Sequence, residues 1–430
     1  MSRHPHSLRF VPLLLLATAL LLRAPAAFAA PPDLPRAGSA EAEGIDPEAL
    51  RQFLQRAEES KSSAVVIVKN GKLVGEWSFG HAPARIEAMS VTKSVAGLAV
   101  LKLLADGKIA SLDVHLHTYF PEWNQGRKKD ITLRHLLTHT SGLQSDPTTE
   151  EIYRSPDFVK LALAAELTEP PGTSFRYNNK AVNLLAAVVQ KVSGKRLDRY
   201  LSDALFRLMG ITDFSWSLDD AGNPQVMAGV QLRPRDLAKL GQLMLDGGLW
   251  LGRRLLPAEW VKQATTPGEG VFSPGGLLWW PQYAWVRLSV DDALLDAWKK
   301  AGVPDALIQD MTPLKGRTFT DSQAYFEALG SRLPALKKEV RGRNLRHATV
   351  EKGPLVGFNS NGDLGQYVLV VPEHRLVVVR MFTPPNESGP RPDESVFFMD
   401  FSPRALALVG VGPPPVAAEA PKAQGAATAR

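Results

Sequence analysis

Hydrophobic positions along the chain form short, continuous apolar runs toward both ends and follow a helical period between. Ala64 to Lys69 is a β-branched run, Asn70-Gly71 follows, and Lys72 to Phe79 returns. Asn-Gly between two such runs predicts a hairpin, because both residues accept the positive φ of a tight turn. Ahead of it, a helical pattern starts near Pro47 with Asp46 as its cap. A long helical section then begins. Ser90 to Asp106 has helical spacing and stops at Gly107. Thr132 to Leu137 starts a second helix, Lys180 to Ser193 forms a third, and Arg233 to Asp246 a fourth that closes at Gly247-Gly248. Strand patterns return late, where Tyr367 to Val371 and Leu376 to Phe382 are apolar runs joined by Pro372 to Arg375.

Strands at both ends with helices between them predict an α/β (α+β) fold. One antiparallel sheet is built from both chain termini and flanked by helices, with a mostly helical subdomain inserted at about 105–260. Residues of about 282–345 fit this scheme less well. Asp291 to Ala301 and Asp321 to Leu329 are helix-like pieces of an expected insertion. Pro31 to Gly44 is rich in Pro, Ala and Gly and is expected to be a flexible lead-in. Residues 412–430 run through Pro413-Pro414-Pro415 into Ala-rich sequence, the composition of a disordered tail. That leaves 45–411 as the folded domain.

Composition narrows the class. With 430 residues, 44% hydrophobic and 22% charged, the chain is long enough to bury a substantial core. The formal net charge of +6 is spread along the chain without a dense basic run. Nucleic-acid binding needs a clustered basic patch, so no nucleic-acid partner is expected. Cysteine is absent, which excludes disulfides, thiolate nucleophiles and cysteine-ligated metals. The first residues add a location. Arg3 and Arg9 form a basic start, Phe10 to Leu22 an apolar run, and Ala27-Phe28-Ala29 a small-residue cleavage site. This is the layout of a signal peptide over 1–29, with an apolar core short for a membrane span. The protein is expected to be exported, periplasmic or secreted by a bacterium, with no stable membrane span after cleavage. Nothing in the sequence addresses its oligomeric state.

Three short segments carry candidate chemistry. In Ser90-Val91-Thr92-Lys93 the serine and lysine are three apart, so on a helix they share a face. A serine hydroxyl attacks poorly until a neighbour takes its proton, and a desolvated lysine has its pKa lowered enough to do so. S-x-x-K alone is a weak signal, arising by chance about once in a few hundred residues. It equally fits a capping serine beside a solvated lysine. Here, however, Val95 to Leu101 makes the helix apolar, and an apolar helix buries its lysine. The second segment is Tyr177-Asn178-Asn179, where a tyrosine next to a cation can exchange protons. The third runs from Phe358 through Ser360, Asn361, Gly362 and Asp363 to Gln366. A glycine in such a strand lets a substrate backbone approach closely.

Taken together, S-x-x-K, then Y-x-N, then a glycine motif on a strand resembles the serine β-lactamase and penicillin-binding-protein superfamily. The resemblance is greatest to its class C-like esterase, peptidase and 6-aminohexanoate-dimer hydrolase branch. Ile131 to Leu143, Pro171 to Tyr177, Arg235 to Ala238 and Gly276 to Trp280 are similar to that family's usual segments. The resemblance implies a β-lactamase/transpeptidase-like fold over the 45–411 domain. It implies that Ser90 attacks a carbonyl and becomes acylated, while Lys93 and Tyr177 move the proton. It also implies that Asn179 positions substrate and Lys93, and that the N–H groups of Ser90 and Asp363 form an oxyanion hole. The family usually opens its third motif on Lys or His, whereas this chain has Ser360-Asn361-Gly362. In β-lactamases and D,D-peptidases that cation holds a substrate carboxylate. Its absence favours a small neutral ester or amide substrate over a β-lactam or a D-Ala-D-Ala peptide. A catalytically silent sensor on the same fold is the alternative of another class. No cofactor and no metal are implied. His135 and His139 are four apart but lack a third ligand or an H-E-x-x-H pattern, so both are expected to be structural. Trp279 and Trp280 are expected in the core, with one of them a candidate to line the pocket. An α/β-hydrolase reading fails because no G-x-S-x-G occurs.

Overall fold

In a computed structural model, apart from Met1, residues 32–413 are described, with omissions at 81–83, 146–147, 270–273, 344, 385–391 and 393–395. The signal-peptide segment and residues 414–430 of the tail lie outside the described residues.

The first helix, α1 (Pro47–Glu59), starts where Asp46 Oδ1 accepts the Ala49 N–H at 2.6 Å. Strands β1 (Ala64–Lys69) and β2 (Lys72–Ser78) form the hairpin, turning through Asn70 and Gly71 at φ 55° and 76°. Helix α2 (Val91–Ala105) begins at Ser90 and is buried along nearly its whole length. Helix α3 (Leu133–Leu137) is capped by Thr132. The helix expected over 180–193 is interrupted at Asn183 into α4 (Asn179–Val182) and α5 (Leu184–Ser193). The interruption has a local cause. Asn183 Oδ1 accepts N–H groups of Val226 and Met227 at 2.8 and 3.1 Å, binding this turn to a distant loop. Helix α6 (Pro234–Leu245) follows. Strands β3 (Trp280–Tyr283), β4 (Leu355–Gly362), β5 (Gln366–Val371) and β6 (Leu376–Met381) complete the sheet, and α7 (Phe401–Ala407) ends the described chain.

The main sheet is antiparallel throughout, in the order β2-β1-β6-β5-β4-β3. Strands from both chain ends meet at β1 and β6, as the early and late apolar runs predict. Alternation then sorts the side chains. Val66, Val68, Val368, Val370, Val377 and Val379 face a core shared with α2 and α6. Val65, Ile67, Leu369, Val371, Leu376 and Val378 face a second core with Phe53 of α1 and Phe401 of α7. Both faces are covered, so the central strands β1, β5 and β6 are mostly apolar on both faces, with Lys69, Gln366 and Arg380 as the buried polar exceptions. Between β3 and β4, residues 286–352 form a separate three-stranded sheet and helices around their own core, which includes Trp298, Met311, Tyr325 and Leu336.

The expected flexible lead-in is corrected over residues 34–44. Leu34 is buried in the main core, the Leu73 N–H donates to Pro35 O at 2.7 Å, and the Ala37 N–H donates to Leu73 O at 2.9 Å. The segment lies along β2, the edge strand, whose outer backbone groups need partners. Composition alone does not register that need. Among the described residues no helix is long and apolar enough to cross a membrane.

Candidate active site

Ser90 sits at the entry to α2 and makes no side-chain cap bond, so its hydroxyl is available for chemistry. Its position in the first turn is also where helix N–H groups lack intrahelical acceptors and the helix dipole favours negative charge. The residue before it, Met89, is held at φ 48°, a conformation costly for a non-glycine residue. Lys93 lies one turn along. Its Nζ is 3.0 Å from Ser90 Oγ and donates to the Met227 carbonyl at 2.6 Å. The residue is 2% exposed, and burial pushes its ammonium down to about 7. A large fraction of Lys93 is therefore a neutral amine near neutral pH, able to accept a proton from Ser90.

Tyr177 completes the cluster. Its hydroxyl faces Ser90, and its ring lies 5.0 Å from Lys93 Nζ. Burial raises the phenol to about 12, against the opposing effect of Ser90. Tyr177 as a whole still reaches solvent, at 38% exposed. The two shifts run in opposite directions and divide the labour. Lys93 is poised to take a proton and Tyr177 to give one.

The third segment reaches the same place. Gly362 ends β4 against the nucleophile, where a Cβ would stand 2.8 Å from the Ser90 nitrogen and 2.9 Å from Ala88 O. Only a glycine permits this approach, which brings the 362–363 backbone beside the Ser90 N–H. Leu364, two residues on, is held at φ 59°. A buried arginine fixes that turn. Arg380 on β6 donates from Nη1 to Leu364 O and Gly365 O at 2.5 and 2.8 Å, and its other bonds reach Ser60 O, Ser62 Oγ and Val396 O. Burial pushes the guanidinium down to about 9.

Ser360 and Asn361 are arranged otherwise than the sequence suggests. Ser360 is 1% exposed, and its Oγ lies 2.6 Å from Ser94 Oγ, which donates to Leu278 O at 2.6 Å. A carbonyl only accepts, so the Ser94 proton goes to Leu278 and the Ser360 proton must go to Ser94. Ser360 thus has no donor left for a substrate. Asn361 is exposed and bonds Asn359. Asn179 is also corrected. It opens α4, and the partners of Lys93 are Ser90 and Met227 rather than the Asn179 amide. The capping role falls to Asn178, whose Oδ1 accepts the Ala181 N–H at 2.8 Å.

Residue spacing did not point to Met227 or Asn183. A backbone carbonyl 134 positions from its lysine leaves no side-chain signal, and Asn183 acts through that same loop. His139 also belongs here, with its ring 4.5 Å from that of Tyr177. Trp279 is buried against Phe358, whereas Trp280 is half-buried beside Tyr177 and His139. Among the described residues no group of three His, Cys, Asp or Glu is placed to hold a metal ion.

A family model described as Beta-lactamase matches residues 50–396. Protein flp of Staphylococcus aureus (strain MRSA252) is 28% identical over 188 residues, covering 40% of this chain and 38% of flp. The aligned stretch thus spans under two fifths of that relative. The solved class C beta lactamase from Rhodobacter sphaeroides superposes with a TM-score of 0.52 at 16% identity, over 85% of this chain and 98% of that one. The octameric penicillin-binding protein homologue from Pyrococcus abyssi gives a TM-score of 0.53 at 18% identity, over 84% and 76% of the two chains. At such identities the likeness to these structures is one of fold. The family match spans most of the chain, and Ser90, Lys93 and Tyr177 converge within it: the chain belongs to the Beta-lactamase family of serine hydrolases and penicillin-binding-protein relatives.

Proposed function

We propose that the protein is an exported serine hydrolase that cleaves a small neutral ester or amide through an acyl-enzyme on Ser90. The observation that carries this reading is the buried Lys93 amine 3.0 Å from Ser90 Oγ, with the Tyr177 phenol facing the same residue. Ser90 Oγ attacks the carbonyl carbon as its proton passes to Lys93 Nζ. The negative oxygen that forms faces the N–H groups of Ser90 and Asp363. Such a donor is typically worth about 3–4 kcal/mol of barrier. As the C–O or C–N bond breaks, the leaving group takes the Tyr177 proton, which Lys93 replaces. Water then attacks the ester of Ser90, giving its proton back through the same two groups and releasing the acid. Asn179, which opens α4 two residues after Tyr177, is assigned the substrate-positioning role that the family resemblance implies.

The inward-turned Ser360 supports a neutral substrate, because a carboxylate would find no donor there. Export rests on the basic start, apolar run and Ala27-Phe28-Ala29 site alone. Family membership favours one other reading, a β-lactamase or D-Ala-D-Ala carboxypeptidase. Wild type and Ser90→Ala should be compared on p-nitrophenyl butyrate, nitrocefin and a D-Ala-D-Ala peptide. The expected result is ester turnover lost on substitution, with little turnover of the other two. Equal ester rates in both proteins would refute the reading, and dominant nitrocefin turnover would move it to the β-lactamase.

A further inference from the structure

We propose that His139 is a positioning residue that holds Tyr177 against Ser90, an inference that rests on Tyr177 acting as the proton-transferring phenol. His139 follows α3 and is 2% exposed. It grips the chain on both sides of Tyr177. The His139 carbonyl accepts the Arg176 N–H at 2.8 Å, and its Nδ1 accepts the Asn178 N–H at 3.1 Å. Its ring supports the Tyr177 ring at 4.5 Å and 33°, and lies nearly parallel to Trp280 on a 6.2 Å centroid distance. Phe175 meets it edge-on at 6.0 Å. Phe175, Tyr177 and Asn178 thus meet the imidazole, and Arg176 the carbonyl, of one histidine.

Two features set this histidine apart from a packing residue. Its backbone is held at φ 55°, and its buried Nε2 has no hydrogen-bond partner among the described residues. Because Nδ1 accepts a hydrogen bond, the neutral ring carries its proton on Nε2, where burial leaves it unsatisfied. A phenylalanine would fill the same aromatic slot without that cost. What it would lack is the acceptor for the Asn178 N–H. Protonating the ring would destroy that acceptor, and burial opposes it, holding the imidazolium pKa down at about 3. The acceptor is therefore kept at every ordinary pH.

The test compares three variants. Asn places its Oδ1 close to where Nδ1 stood, Gln places its oxygen nearer the Nε2 position, and Phe keeps a ring without an acceptor. His139→Phe is expected to lower kcat on a p-nitrophenyl ester by about 10²-fold, with KM within about twofold, as expected for a misplaced proton-transfer group. His139→Asn is expected to recover most of that loss, and His139→Gln little of it. Crystal structures should show the Tyr177 hydroxyl leaving Ser90 in the Phe and Gln variants and keeping it in the Asn variant. Wild-type kcat in His139→Phe, an unmoved Tyr177, or equal losses in Asn and Gln would overturn the inference. If His139→Phe does not fold, the Asn and Gln pair decides. If the wild type hydrolyses no ester, the proposed function falls, while the position of Tyr177 in the variants still decides the role of His139.

Discussion

Burying Lys93 beside the nucleophile carries a cost with a measurable sign. An ordinary lysine titrates near 10.5, and here burial brings it to about 7. Between those values the unfolded chain binds a proton that the folded chain does not, so stability falls as pH drops from about 10.5 to 7 and levels off below. A shift of this size corresponds to roughly 5 kcal/mol. Lys93→Met removes that penalty and also the bond to Met227 O. It is expected to raise stability by about 0.5–2 kcal/mol at pH 7 while abolishing ester hydrolysis. The gain should disappear by about pH 10, as urea unfolding at several pH values would reveal. A Lys93→Met protein less stable than wild type at pH 7 would contradict the assignment. In wild type, kcat/KM should rise with pH through about 7 as Lys93 loses its proton, and Tyr177 should stay protonated until about 12.

At the scale of elements, the site depends on how closely β4 meets the start of α2. Four non-glycine residues with positive φ lie at or beside it: Met89 before the nucleophile, His139 under Tyr177, Leu278 accepting from Ser94, and Leu364 after Asp363. Strain of this kind persists only where surrounding structure over-determines it, and Arg380 does so for Leu364. Gly362→Ala tests the approach. Its Cβ would lie at 2.8–3.0 Å from Ser90 N, Ala88 O and Met89 Cβ, so β4 must retreat from the helix. A shift on the order of 1 Å at the oxyanion site costs about 10²-fold in kcat. Stability should fall by about 1–3 kcal/mol from overpacking. Unchanged kcat in a folded Gly362→Ala protein would show that β4 does not supply the second oxyanion donor.

Across the whole molecule, what could be read from the sequence was whatever depended on near neighbours. The Ser90 and Lys93 spacing, the hairpin at Asn70-Gly71 and the late β5–β6 pair are local, and the sheet joining both chain ends followed from them. What stayed hidden was set by partners far along the chain. Lys93 bonds the Met227 carbonyl rather than Asn179, Ser360 turns inward to Ser94, and the Pro- and Ala-rich segment at 34–44 pairs with the β2 edge. Each is a backbone or hydroxyl contact between segments that sequence spacing cannot relate. The same convergence makes Ser90 the one atom on which the account turns. Two segments, 90–93 and 177, meet at its hydroxyl, and a third, 362–363, meets its backbone nitrogen. The most direct measurement is intact and peptide mass spectrometry after brief exposure to a fluorophosphonate, on wild type and Ser90→Ala. The account predicts one phosphonyl adduct on the peptide carrying Ser90 in wild type and none in the variant. No adduct on wild type, or an adduct that survives Ser90→Ala, would contradict it.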